Sequence, residues 1–389
     1  MTLMKTLIGS ALALATATAL AQSQGVTKTE ITLGSIQDLS GPLAGFGKQI
    51  RLGMLLRVDE LNEQGGINGR KLKLIVEDSK YDPKNAVLAA QKLVNQDKIF
   101  AMVGHLGTAQ NMAAMPVQFE KNVINFFPVT AAREMYDPFH KLKYSFAATY
   151  YDQMLTSLPK LVKEKAAKKV CTIYQDDEFG LEVVRGAEAG LKTLGMELAE
   201  RTSFKRGATD FSSQVQKLAS SQCDFVVLGT IIRETIGTIG TARRMGFNPT
   251  FMGSSASYTD LIHKLGGPAM NGLYATMTVV NPYTDDDASA PVRFWANKYK
   301  TKHNEDPTVF SVYGYVVIDS FLRAASKAGA NLTTDSFIKA MDTMVSPPDI
   351  FGSAEATFSP TKRLGSNASR MSQLQDNRWK VVSEYTTAK

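Results

Sequence analysis

The sequence predicts an α/β protein of two doubly wound lobes in series, joined by a hinge of three chain crossovers. Three observations predict it. Apolar runs of strand length alternate with amphipathic runs of helix length; the alternation pauses near residue 144 and starts afresh at Val170; and helical patterns resume after the second cycle has run its course.

In the first cycle, Ile31 to Ile36 reads as a strand and Leu39-Ser40-Gly41-Pro42 as a turn. Ile50, Met54, Val58 and Leu61, spaced by four, four and three, then place one apolar stripe on a helix. Gly65-Gly66 ends that helix, and Gly69-Arg70 leads into a strand from Leu72 to Val76. Asp82-Pro83 offers an N-cap followed by proline in the first turn, where its missing N–H costs nothing. A helix to Asn95, a strand from Ile99 to Gly104, a helix opening at Thr108 and a strand from Val123 to Phe127 complete the cycle, before an irregular stretch from Tyr144 to Asp152.

The second cycle runs through a strand at Val170, a helix from Gly180 to Leu194, a strand from Glu197 to Thr202 and a helix from Asp210 to Ser220. A strand from Phe225 to Leu228, a helix to Met245 and strands at 250–253 and 272–278 follow. Cys171 and Cys223, the two cysteines of the chain, each stand at the start of an apolar strand-like run. If these are the first and third strands of a doubly wound lobe in 2-1-3 order, their N-terminal ends lie side by side and a disulfide is expected; the alternative is two free core thiols.

Asn281-Pro282 and Asp285-Asp286-Asp287 form a loop, after which helices at 291–302 and 309–327 cross back to the first lobe, and Trp379 to Val382 is a strand of final return. The expected division is a signal segment at 1–21, an N-terminal lobe at 22–148 plus 281–355, and a C-terminal lobe at 149–280 plus 356–389.

Lys5, the uncharged stretch from Thr6 to Ala21 and the small-residue pattern Ala19-Leu20-Ala21 read as a secretory signal cleaved after Ala21, so a soluble periplasmic protein of about 368 residues is expected. The net charge of +7 falls to +6 without Lys5, and its bases are scattered among acids, which argues against nucleic acid as a partner.

Ser40-Gly41-Pro42-Leu43-Ala44, Asn62-Glu63-Gln64-Gly65-Gly66-Ile67-Asn68-Gly69-Arg70, Glu77 to Pro83, Val103-Gly104-His105 and Phe251-Met252-Gly253 resemble the leucine/isoleucine/valine-binding protein family of type I periplasmic binding proteins. The resemblance runs along essentially the whole mature chain. It implies a monomeric solute-binding component that delivers a small molecule to the membrane permease of an ABC transporter, holding its carboxylate between the lobes with helix-end amides and a hydroxyl. Thr108 falls where the family places a ligand-binding serine, although a hydroxyl there also suits a helix cap.

The departures from the family narrow the ligand. Where amino-acid-binding members have a glutamate for the α-ammonium this chain has Ser255; a threonine position reads Ala131, and tyrosine positions read Phe46, Phe179 and Ile231. Burying an unpaired ammonium costs several kcal/mol, so the expected ligand is a carboxylate lacking an α-amine, an aromatic acid above all. Phe46 and Phe179 are expected to enclose its ring, with Val129, Ala131 and Ile231 as an apolar wall and Arg233 and Tyr258 reaching a polar substituent. If the alignment slips, Glu234 or Asp260 restores an amine acceptor, and a branched-chain amino acid becomes the ligand.

Enzyme chemistry is poorly supported. Gly253-Ser254-Ser255-Ala256-Ser257 lacks the final glycine of a nucleophile elbow, leaving a secreted serine hydrolase as a remote alternative. The four histidines form no metal-spaced pair, and no dinucleotide or phosphate loop is complete, so neither metal nor cofactor is expected. A sensor that presents the same ligand to a membrane receptor remains the other alternative.

Overall fold

Glu30–Gln37 (β1) begins with alternate burial and ends buried on both faces, as a central strand between two helical layers must. The computed structural model to which it belongs describes residues 23–285 and 288–388; the signal segment with its cleavage position and Asp286-Asp287 of the acidic loop lie outside the described residues. After β1 come Ala44–Glu63 (α1), Lys71–Asp78 (β2), Pro83–Gln91 (α2), Ala101–Val103 (β3), Thr108–Glu120 (α3), Ile124–Phe126 (β4) and Lys143–Tyr144 (β5). Their parallel sheet has the order β2-β1-β3-β4-β5. The stripe of Ile50, Met54, Val58 and Leu61 on α1 is buried, and Asp82 caps α2 by accepting from the amides of Lys84 and Asn85.

Tyr150–Glu164 (α4) occupies ground that the sequence reading left irregular or unassigned. Met154, Leu158 and Leu161 give it a buried stripe, and Thr149 caps it, but Pro159 inside the helix obscures the pattern. The second cycle then runs Val170–Gln175 (β6), Glu178–Lys192 (α5), Glu200–Phe204 (β7), Ser212–Ser220 (α6), Phe225–Gly229 (β8), Arg233–Arg244 (α7), Thr250–Gly253 (β9), Asp260–Gly266 (α8) and Tyr274–Met277 (β10).

The chain continues as Ala290–His303 (α9), Val309–Ala328 (α10) and Thr334–Met341 (α11). A small two-stranded sheet of Val345–Ser346 (β11) and Ala356–Thr357 (β12) follows, and Ala368–Gln375 (β13), Arg378–Val381 (β14) and Thr386–Thr387 (β15) end it. The second sheet has the order β14-β13-β10-β9-β8-β6-β7, with β15 beside β13. It is parallel through β10 and antiparallel beyond, since β13 pairs antiparallel with β10. Strand β13, poor in β-branched residues, escaped the sequence reading, as did α11.

Helix α10 packs on α1 of the first sheet. Two glycines make that approach close: a Cβ on Gly53 would stand 2.0 Å from the Ser311 carbonyl oxygen, and one on Gly314 2.1 Å from that of Ile50. The chain thus leaves the first sheet after β5, returns to its helices after β10, and re-enters the second sheet at β13, which makes three crossovers. The predicted 2-1-3 arrangement holds as well, because β6 lies between β7 and β8 with Val170 opposite Phe225. Cys171 and Cys223 are joined in a disulfide there, their Cα atoms 5.9 Å apart.

Candidate ligand-binding cleft

Parallel strands point their C-terminal ends, and the N-termini of the helices that follow, toward one edge of a sheet. In this chain those edges of the two sheets face each other across a cavity enclosing about 640 Å³ of space outside protein atoms, its mouth included. Phe46 of α1, the first turn of α3, residues 129–131 after β4 and residues 145–147 form one side with Phe310 and Tyr313 of α10; Tyr150, Phe179, Ile231 and Ser255 face them.

The N-terminus of α3 differs from its neighbours. Thr149 caps α4, accepting from the amide of Asp152, and Asp177 caps α5, accepting from those of Phe179 and Gly180. The residue before α3 is Gly107, with φ of 99°, and no side chain caps that helix. Among the described residues no hydrogen bond is recorded from the amides of Thr108 and Ala109, so the end of the helix dipole opens on the cavity. The Thr108 and Thr130 hydroxyl oxygens lie 2.6 Å apart in the same wall. His105, just before this turn, is fully buried with no hydrogen-bond partner recorded for its ring, and burial pushes its pKa down to about 3, so it is neutral. The attraction for an anion comes from amides and hydroxyls, without a full positive charge.

Among the described residues no Asp, Glu, Lys, Arg or His lines the cavity. Glu234 is buried away from it beside Arg233 at 3.6 Å, with its pKa raised by burial, and Asp260 pairs with Lys264 at 2.5 Å. Neither reaches the place where an amine acceptor is required. Ser255 is held by Gln153 of α4, whose side-chain oxygen accepts from the Ser255 amide at 2.9 Å and whose nitrogen donates to its hydroxyl at 3.0 Å. The three lining tyrosines, Tyr81, Tyr150 and Tyr313, all have pKa values raised chiefly by burial and stay neutral. The Phe46 ring stacks on Phe310 with centroids 3.5 Å apart, and Phe179 meets Tyr150 edge-on at 5.1 Å.

Seven of the residues singled out from sequence, Phe46, Thr108, Val129, Ala131, Phe179, Ile231 and Ser255, line this one cavity. Arg233 and Tyr258 do not. Arg233 opens α7 on the outside, partly exposed in a separate shallow groove with Pro42 and Gly45. The turn after Ser257 carries Tyr258 away from the cleft, where its hydroxyl accepts from the Asn281 amide at 2.9 Å and its ring lies against Trp379. Thr130, Phe146, Tyr150, Phe310 and Tyr313 escaped sequence reading. The cap at Thr149 is the one local signal that could have drawn attention to Tyr150.

The lobes also meet through charge. Arg133, between β4 and β5, donates to the fully buried Glu182 of α5 at 2.6 Å and lies over the Tyr151 ring at 3.9 Å.

Comparison with known proteins agrees with this architecture. Residues 30–378 match the family described as periplasmic binding protein. An amino acid binding protein of Pseudomonas aeruginosa is 28% identical over 304 residues, covering 78% of this chain and 80% of that one. A Leu/Ile/Val-binding protein of Escherichia coli is 26% identical over 331 residues, covering 85% and 89%. A solved fatty acid ABC transporter substrate-binding protein from Thermomonospora curvata superposes with a TM-score of 0.86 at 24% identity, covering 95% of both chains, a likeness of fold.

Proposed function

Since the chain belongs to the periplasmic binding protein family, we propose that it is the periplasmic solute-binding component of an ABC uptake system of the branched-chain amino acid type, and that its ligand is a small carboxylate without an α-amine, an aromatic acid above all. The chain releases its ligand unchanged to a membrane permease and acts as a monomer. One observation carries the ligand class: the cavity offers uncapped amides at Thr108 and Ala109 to an anion, and among the described residues that line it there is no carboxylate to receive an ammonium.

Thr108, Thr130 and the first turn of α3 hold the carboxylate. Phe46, with Phe310 behind it, and Phe179, with Tyr150 beside it, take the faces of the ring, while Val129, Ala131 and Ile231 exclude water. Closure of the lobes about the three crossovers at 148/149, 280/281 and 355/356 traps the ligand. Ser255, bonded through both amide and hydroxyl to Gln153, serves as a wall and hydrogen-bonding group.

The relatives' names favour a second reading, an amino acid, whose ammonium would have to rest on tyrosine and threonine hydroxyls and carbonyl oxygens alone. A thermal-shift series of the mature protein decides between the two, because a ligand that binds only the folded state raises Tm. Aromatic acids are expected to raise it and leucine and valine to leave it unchanged; the reverse pattern would overturn the ligand class.

A further inference from the structure

A second cavity lies behind the cleft, between the later turns of α10 and residues 346–356, enclosing about 1110 Å³ of space outside protein atoms, its mouth included. Among the described residues Phe146 alone lines both. Its ring stands 5.8 Å from Tyr313 on the cleft side and 5.4 Å from Phe127 on the other. Its backbone neighbourhood is pinned, because Ser145 donates to the Arg363 carbonyl at 2.9 Å and accepts from the Gly365 amide at 2.8 Å. Phe146 is therefore a side-chain partition on a fixed strut.

Helix α10 is the common wall. Tyr313 faces the cleft, while Val316, Ser320 and Arg323 line the second cavity. Offsets of three, seven and ten residues from Tyr313 keep all four on one face over about 15 Å of helix. Phe127, against the Phe146 ring, and Val316, one turn beyond Tyr313, give the second cavity an apolar wall at that end; its lining also holds Asp319, Ser320, Arg323, Ser346, Asp349 and Ser353, with Arg323 paired to Asp319.

We propose that Phe146 sets the length of ligand the cleft accepts: it closes the cleft against a second chamber shaped for the apolar distal part of a longer carboxylate. This rests on the carboxylate reading above. The native ring confines binding to compact ligands, and a smaller side chain at 146 joins the two spaces.

The test is isothermal titration of native protein, Phe146→Ala, and Phe146→Ala combined with Val316→Trp, which obstructs the second chamber one turn beyond Tyr313. Phenylacetate and 8-phenyloctanoate form one probe pair, leucine and 2-aminodecanoate the other. Phe146→Ala is expected to raise the long-to-short affinity ratio at least tenfold within whichever pair binds, and Val316→Trp to cancel the gain. An unchanged ratio overturns the proposal while leaving the ligand class intact. Binding of only the amino acid pair overturns the ligand class, and the ratio still judges Phe146. If neither pair binds, xenon in crystals of Phe146→Ala decides: density continuous across position 146 supports the partition, and two separate sites refute it.

Discussion

The side-chain oxygens of Thr108 and Thr130 lie 2.6 Å apart, one on the first turn of α3 and the other on the segment after β4. The pair brings two hydroxyls beside uncapped helix amides. Thr130 also bonds the Tyr150 phenol, so the two hydroxyls and the phenol form one polar cluster in the wall.

Thr108→Val keeps the shape and removes one hydroxyl. A hydrogen bond to a charged group contributes about 1.5 to 3 kcal/mol, so carboxylate affinity is expected to fall about 10- to 150-fold, with little change in the unliganded Tm. Titration calorimetry measures it, and an affinity within about twofold of native would place the anion elsewhere.

Ser255→Glu supplies the acceptor that the cavity lacks. Leucine is expected to raise the Tm of this variant and not of the native protein, while binding of the amine-free acid weakens at least about tenfold because a buried carboxylate is left uncompensated. A variant that still ignores leucine would show that an ammonium is excluded by shape rather than by missing charge.

Affinity should be nearly independent of pH between about 6 and 9. The tyrosines that line the cleft have pKa values raised by burial, Tyr313 to about 12, and remain protonated throughout. Below that window binding weakens as pH falls through the ligand's own pKa, about 4.3 for a simple carboxyl, because the anion that the helix amides attract disappears. Titrations across pH that reveal a step near neutrality would point to a histidine or carboxylate acting on the site.

The Cys171–Cys223 bond closes a loop of 52 residues. By the chain-entropy argument, losing it costs about 4 kcal/mol, chiefly through the unfolded chain. Urea unfolding of the Cys171→Ala/Cys223→Ala protein should show that loss with ligand affinity retained, since the bond lies at the N-terminal ends of β6 and β8 and the cleft at the opposite edge. A loss of less than about 1 kcal/mol would mean that the paired strands already hold those ends together without it.

Much of the fold was legible because hydrophobic periodicity is local: the stripe from Ile50 to Leu61, the Asp82-Pro83 cap and the strand at 250–253 need only neighbouring residues to declare themselves. Helix α4 was hidden by an internal proline and β13 by its polar composition, since both depend on the partners they pack against. The disulfide was foreseeable once the strand order was.

The amino-acid sequence by itself determined the alternation of strands and helices, the fresh start at Val170 and the family to which the chain belongs, and it made a disulfide the expected state of the two cysteines without excluding free thiols. Which side chains meet in the cleft was decided only by tertiary structure. Arg233 and Tyr258 sit at the right ends of their elements yet turn to a groove and to Trp379, while Phe146 and Tyr313, more than 160 positions apart, become neighbours at 5.8 Å. Periodicity reports which face of an element is buried; the crossovers that return α10 to α1 report against what.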